Sequence, residues 1–326
     1  MSVYTHLTFD EIAQLLTKYD IGTLKHFEGI AAGVENTNYF IDVVAADGQT
    51  TRYVLTLFEF LPVEIIPFFT ALTDHLATHQ LPVPLAIRDL QGESLHWLKS
   101  KPCLIQRCLT GKQVDTPTSS HCAAVGEMLG KMHQAGLQTS ISQTNQRGLN
   151  WLVEQADRLQ SLVSAENAAL LKQQADFYTV FFQQHSHLPQ GIIHGDLFHD
   201  NVLFTGTNIS GVIDFYNACT DYLLYDLAVT ANDWCRLPGQ TLDPQKVKAL
   251  VDGYNQIRPF NEDAKNAWPI MLQFAAFRFW VSRIITFEHP EEHLPQNEDA
   301  VVKPKDPNEF KQLMLHHKNN SSLYSL

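Results

Sequence analysis

Apolar positions recur with two different periods along this chain, and the change from one to the other divides it. Thr8 and Glu11 stand at the spacing of a capping box, in which each side chain satisfies an amide of the other residue. Ile12, Leu15, Leu16 and Tyr19 then recur at helical spacing until Gly22, which predicts an opening amphipathic helix. From there the period shortens. NYFIDVV and RYVLTLF are rich in strand formers and flank Asp47-Gly48, a hairpin signal, so adjacent antiparallel strands are expected. Pro67 to His79 reads as a helix, and LPVPLAI, ESLHWL and KPCLIQRCL read as extended segments with Pro82, Pro84 and Pro102 at their entries.

After Pro117 the helical period takes over. Val125, Met128, Leu129 and Met132 step around one face, and ADRLQSLV, LLKQQADFYTVFFQQ, DPQKVKALVDGYNQI and NAWPIMLQFAAFRFWVSRII repeat the pattern. TGKQ, from Thr110 to Gln113, is the natural joint. The expected organisation is an α+β chain with an antiparallel-sheet N-terminal lobe over residues 1–109 and a mostly helical C-terminal lobe over 110–326. The tail from Lys303 onward is polar, and its end is expected to be loosely held, with His316 and His317 in solvent.

Composition narrows the function classes. The 326 residues carry 23 Lys+Arg against 35 Asp+Glu, a formal charge of −12, which excludes a generally basic nucleic-acid binder. With 44% hydrophobic and 18% charged residues the chain can build a packed core. A length above roughly 250 residues favours two lobes with a ligand cleft between them. The N-terminus has acids at Asp10 and Glu11 and no uninterrupted apolar run, unlike a secretory signal. IMLQFAAFRFWVSRII is broken by Gln273, Arg278 and Arg283, so no membrane partner is expected. Five cysteines without a CxxC suggest reduced thiols in the cytoplasm.

The chemistry concentrates in GIIHGDLFHDNVLFTGTNISGVIDFYNA, Gly191 to Ala218. An apolar run leads to His194, Asp196, four residues and Asn201; a second apolar run and a turn lead to Asp214. Asp and Asn are frequent turn residues, so any one of them fits a plain loop. The whole string, H-x-D-x4-N followed by an aspartate at a strand end, has the arrangement of a phosphoryl-transfer loop. A hydroxyl attacking a γ-phosphate needs a carboxylate to take its proton, which points to Asp196. Mg²⁺ needs hard oxygen ligands that bridge the phosphates, which points to Asn201 and Asp214. VLF and GVID should form a small hairpin that brings those two ligands together.

HGDLFHDNVLF with GVIDFYNA resembles the aminoglycoside phosphotransferase and choline kinase-like superfamily, whose members carry HGDxxxxNxL and a following IDxx. The resemblance implies a protein-kinase-like, two-lobed fold and a small-molecule kinase using ATP and Mg²⁺. Within it, GIAAGVENTNYFI, RYVLTLFE, LPVPLAIRD, KPCLIQRCLTGK, VGEMLGKMH, RGLNWL, IDFYNACTDYLLYDLAVTANDWC and FRFWVSR are similar to the homoserine kinase branch, from about Thr8 to Arg283. That branch implies transfer from ATP to the hydroxyl of L-homoserine, giving O-phospho-L-homoserine and ADP, in threonine biosynthesis.

The remaining roles follow from that frame. GIAAGVENTN would cover the nucleotide phosphates, with Gly29, Gly33, Asn36 and Asn38 as its candidates. Gln106 and Cys108, through their main chain, would meet the adenine. The strand that normally carries a phosphate-binding lysine has Thr56 in its place, and Arg52 lies four residues off, roughly 13 Å along a strand. Asp226 is expected to cap amides and brace the loop, and His133 to be a structural partner. The acceptor is a small molecule, an amino acid or amino alcohol, read by Asn217, Asp233, Trp234, Arg278 and Arg283, with Asp221, Asn232 and Trp280 nearby. Asp233 would take an ammonium and Arg278 or Arg283 a carboxylate. A cage from Trp234, Trp280 and Tyr216 would suit choline instead. Choline, ethanolamine, methylthioribose and aminoglycosides therefore stay open as acceptors, as does a nucleotide-binding pseudokinase. Nothing in the sequence specifies an oligomeric state.

Overall fold

The capping box forms in full. Thr8 N donates to Glu11 Oε2 at 2.8 Å and Glu11 N to Thr8 Oγ1 at 3.3 Å, opening α1 (Phe9–Leu16). The computed structural model describes residues 3–30, 36–288, 305–321, 323–324 and 326. The chain divides into two compact units between Thr110 and Gly111.

In the first unit β1 (Thr23–Gly29), β2 (Asn36–Val44), β3 (Thr50–Phe58), β4 (His96–Leu98) and β5 (Lys101–Arg107) form one antiparallel sheet in the order β1-β2-β3-β5-β4. The β2/β3 turn holds Gly48 at φ +85, the left-handed backbone that the Asp-Gly signal supplies. Ile12, Leu15 and Leu16 of α1 share a core with Tyr39, Ile41, Leu55, Leu57, Cys103 and Ile105. Strand alternation therefore sends Asn38, Thr56 and Leu104, which are register partners, to the opposite face. α2 (Ile66–Thr78) follows with Pro67 in its first turn. LPVPLAI stays extended without becoming a strand. Its prolines lack the amides a ladder needs, and it meets β5 through a single bridge at Ala86, with Ile87 N donating to Ile105 O at 2.7 Å and Arg107 N to Leu85 O at 3.0 Å.

The second unit is mostly helical: α3 (Ser119–Gly136), α4 (Leu149–Arg158), α5 (Ala165–Gln184), α6 (Leu223–Trp234), α7 (Pro244–Ile257), α8 (Glu262–Glu288) and α9 (Asn308–Asn319). Three short ladders interrupt it among the described residues, β6 (Gln190–Ile193) with β9 (Cys219–Tyr222), β7 (Val202–Thr205) with β8 (Asn208–Val212), and β10 (Arg236–Leu237) with β11 (Thr241–Leu242). α3 and α7 touch backbone to backbone: a Cβ on Gly126 would come 2.0 Å from Leu250 O, and one on Gly253 2.2 Å from Ala123 O. α8 is long and apolar enough to cross a membrane by length and composition, yet Trp268, Phe277 and Trp280 on different sides of it are all fully buried, as in a core helix.

The polar tail departs from expectation. Within α9, Phe310, Leu313, Met314 and His317 fall on one helical face and are all buried. His317 Nε2 lies 2.8 Å from Asn232 Oδ1, and burial pushes its pKa down to about 3. A spacing of three, four and seven residues is enough to bury one side of a helix that is otherwise polar.

Candidate active site

The segment from His194 to Asn201 leaves the end of β6 and is fixed by one buried carboxylate. Asp226, in the first turn of α6, accepts His194 N on Oδ2 at 2.7 Å and Gly195 N on Oδ1 at 2.8 Å. Oδ2 also meets His133 Nε2 at 3.0 Å. Behind it, Arg258 donates to the Tyr254 hydroxyl at 2.8 Å, and that hydroxyl stands 2.9 Å from His133 Nδ1. Every bond is satisfied in one direction: Arg258 to Tyr254, Tyr254 to Nδ1 of a neutral His133, and His133 Nε2–H to an ionised Asp226. Burial holds the His133 pKa down against the pull of Asp226. For Asp226 burial acts upward, but the His133 hydrogen bond, the neighbouring histidines and the loop amide outweigh it and keep the carboxyl low.

Gly195 takes φ +76, and a Cβ there would stand 2.7 Å from Asn217 O. Glycine is thus required twice, for backbone and for space. Asp196 follows directly. Its carbonyl accepts Phe198 N and Asn201 Nδ2, both at 2.8 Å. Ile213 N donates to Asn201 O at 3.0 Å, so the β7/β8 hairpin brings Asp214 alongside Asn201. Asp214 itself adopts φ 63, ψ 60, a left-handed conformation that aspartate tolerates better than most residues. A carboxylate and a side-chain amide oxygen, carried by residues that the hairpin makes neighbours, are the hard donors that Mg²⁺ accepts.

The five acceptor candidates separate. Asn217 lies against the loop through its carbonyl, and its Oδ1 accepts Arg147 Nη1 at 3.0 Å. Arg278 is buried at 5% exposure, stacks over the Phe279 ring at 4.1 Å and acts by its charge on Cys219 and Tyr225. Asp233 Oδ2 is engaged by His199, from both N and Nδ1 at 2.7 Å, which raises the His199 pKa. Trp234 is fully buried and donates Nε1 to Leu197 O at 3.0 Å. Asp233 and Trp234 thus grip the loop from behind. Arg283 points to the tail helix, binding Glu309 at 2.6 Å and Asp306 O at 3.0 Å. Asn232 is spent on Leu272 O and His317, and Trp280 is 1% exposed.

In the first unit, Asn38 Oδ1 accepts the Thr56 hydroxyl at 2.7 Å. The position of the missing lysine is thus filled by a buried hydroxyl paired with its cross-strand neighbour. Arg52 is held by Asp42 at 2.7 Å, and Lys101 by Glu59 at 2.6 Å on the Leu57 face of the sheet, away from Thr56. Gly29 closes β1, where a Cβ would stand 2.5 Å from Val3, and Asn36 opens β2. Gly33 lies outside the described residues. Gln106 is buried between β3 and the Ala86 bridge, and Cys108 is half-buried just beyond β5.

Arg147 was not singled out from the sequence. It lies in RGLNWL, a segment whose resemblance was visible but whose arginine has no local pattern to mark it.

Comparison with known proteins gives the family and the fold. The chain is 40% identical over 316 residues to a protein of Methylobacillus flagellatus named Homoserine kinase, covering 97% of this chain and 95% of that relative. Among solved structures, amicoumacin kinase hAmiN, in complex with AMP-PNP, Ca²⁺ and Ami, aligns with a TM-score of 0.68 at 14% identity, over 97% of this chain and 94% of that one. Choline kinase from Cryptosporidium parvum Iowa II aligns with a TM-score of 0.65 at 12% identity, over 96% and 95%. These two carry the kinase-like fold. The family profile described as Phosphotransferase enzyme family matches residues 26–260, and the chain belongs to that family.

Proposed function

We propose that this protein transfers the γ-phosphoryl group of Mg·ATP to the side-chain hydroxyl of L-homoserine, releasing ADP and O-phospho-L-homoserine. The observation that carries the reaction type is the convergence of Asp196, Asn201 and Asp214: Asn201 bonds the Asp196 carbonyl through Nδ2 and the strand before Asp214 through its own carbonyl. The choice of acceptor rests on the 40% identity to a homoserine kinase over nearly the whole length of both chains.

In this reading the homoserine oxygen attacks the γ-phosphorus in line, the bond to the ADP oxygen breaks, and the hydroxyl proton passes to the Asp196 carboxylate. Asn201 and Asp214 would hold Mg²⁺, which when bound offsets charge on the phosphate oxygens. No nucleophile beside a base is needed, because transfer is direct. Gly29, Asn36 and Asn38 would shape the turn over the phosphates, and the chain at Gln106 and Cys108 would meet the base. Residues 1–109 then form the nucleotide lobe and 110–326 the lobe for catalysis and acceptor. Of the acceptor candidates, Asn217 and Arg278 would remain for the acceptor, while Asp233 and Trp234 bond the loop and Arg283 the tail.

The rival acceptors lose ground on burial. Trp234 and Trp280 expose no face, so neither can contribute to a cage for a quaternary ammonium. A pseudokinase would not require the base together with both metal ligands. Five free cysteines, four of them buried, fit work in a reducing cytoplasm.

Coupled ADP release with Mg·ATP against L-homoserine, choline, ethanolamine, methylthioribose and kanamycin tests the proposal, with L-serine and L-threonine as controls. Homoserine-dependent turnover well above the rest is expected. A different preferred acceptor would overturn the substrate, and no turnover with any of them would overturn the kinase reading for these acceptors.

A further inference from the structure

A pocket for a zwitterionic acceptor needs a cation beside the catalytic loop, and Arg283, one of the two arginines suggested by sequence, is committed to the tail helix. Arg147 stands closer to the chemistry. Its Nη1 donates to Asn217 Oδ1, and the carbonyl of the same Asn217 is the atom that crowds Gly195, the residue before Asp196. One side chain thus separates the guanidinium from the loop.

The arginine is also rigidly presented. Arg147 N donates to Asn145 Oδ1 at 2.8 Å, an Asx turn, and Asn145 Nδ2 donates to Asp221 Oδ2 at 2.5 Å. Asp221 Oδ1 in turn accepts Tyr222 N at 2.7 Å. Just upstream, Gln143 N bonds Thr220 Oγ1 at 3.3 Å and Thr220 N bonds Gln143 O at 2.7 Å, while Thr144 bridges Thr220 in parallel. The segment 143–147 is therefore zipped onto the free side of β9, whose other side pairs with β6, the strand that delivers His194 to Asp196. A loop held by this many side-chain bonds fixes the direction of the residue at its end.

We infer that Arg147, oriented by Asn217, binds the carboxylate of the acceptor and makes the enzyme select amino acids over amino alcohols. The inference rests on the homoserine reading above and assigns its substrate class to a named group. In homoserine only three carbons separate the reacting hydroxyl from the carboxylate carbon, so the carboxylate reader must lie beside the base. A planar guanidinium matches a carboxylate with two parallel N–H bonds, which a lysine cannot reproduce.

The experiment compares L-homoserine with 3-amino-1-propanol, the same molecule without the carboxylate. The wild type, Arg147→Gln, Arg147→Lys and Asn217→Ala are each assayed for kcat/KM with both acceptors and for KM of ATP, with thermal melting as a check of folding. In Arg147→Gln the ratio of homoserine to aminopropanol should fall about 10²-fold, carried by KM for homoserine, with KM for ATP unchanged. Arg147→Lys and Asn217→Ala should fall between, and they carry the test if the glutamine variant does not fold. An unchanged ratio with both acceptors equally slowed, or a rise in KM for ATP instead, would assign Arg147 to the phosphates or the scaffold and overturn the inference. Wild-type failure on homoserine would overturn the proposed function and this assignment together, whereas wild-type turnover with an unaltered ratio in the variants removes the arginine alone.

Discussion

Replacing Asp226 by asparagine tests whether one carboxylate holds the catalytic loop. The group is 0% exposed and receives three N–H donors, from His194, Gly195 and His133. Asparagine keeps the shape but removes the charge and turns an NH₂ toward at least one of those donors. If the amide oxygen takes the Oδ2 site, the Gly195 amide loses its acceptor; in the other orientation both His194 and His133 do. A hydrogen bond to a buried charged group contributes about 1.5–3 kcal/mol, and breaking a buried charged network costs about 3–5 kcal/mol. We take about 3 kcal/mol, which for a chain of this size lowers Tm by roughly 4–5 °C.

Activity should fall further than stability alone requires. Asp196 is the next residue after Gly195, and a displacement of about 1 Å at a reacting group costs roughly 10²-fold in rate. The assays are a thermal melt at pH 7 and kcat measured well below the variant's Tm. Because the folded pKa of Asp226 is depressed below the ordinary carboxyl value of 3.8, its contribution is fully present above about that pH and is lost as pH falls through the folded value. The difference from wild type must therefore be complete at pH 7. An Asp226→Asn protein melting within 1–2 °C of wild type, with wild-type turnover, would refute the reasoning.

The other sites give sharper contrasts. Asp196→Ala should retain ATP binding and lose on the order of 10² or more in kcat, and near-normal turnover in the folded variant would remove Asp196 as the base. Asp214→Ala should weaken Mg²⁺-dependent nucleotide binding, measured by titration calorimetry; equal Mg·ATP affinity would count against its role as a metal ligand. Gly195→Ala meets Asn217 O at 2.7 Å and a φ of +76, so a loss of about 1–3 kcal/mol and a slower enzyme are expected from melting and rate assays. His317 has a folded pKa of about 3, below its unfolded value of about 6.5, so the unfolded chain binds the extra proton and stability is lost as pH falls below about 6.5. Because the unfolded imidazole is only half protonated at about pH 6.5, its share between about pH 6.5 and 5.5 is about 1 kcal/mol, and His317→Gln should lessen the fall in denaturant-measured stability over that range by about that amount.

Where the sequence could be read, the determinants were local. The capping box at Thr8 and Glu11, the Asp47-Gly48 hairpin, and the run from His194 to Asp214 each specify geometry within a few residues, so spacing alone places them. The proposed acceptor side is different in kind. Asn217 and Arg147 are 70 positions apart, and Asn145 and Asp221 76, so no periodicity links them. Asp233, Trp234 and Arg283 carry the right chemistry and lie near the right elements, but their partners are chosen by packing: His199, the Leu197 carbonyl and Glu309. The tail shows the same division from the other side. Its composition argued for solvent, while Phe310, Leu313, Met314 and His317 at helical spacing had enough apolar surface to dock, and Arg236 and Arg283 each lie 4.4 Å from the Phe310 ring. Arg236 also bonds the carbonyl of Asn232, the residue before the loop-gripping Asp233, so a segment that composition marked as loosely held reaches the support of the loop in two steps. A residue's type fixes what it can do chemically; the long-range contacts decide which of those capacities remains open to a substrate.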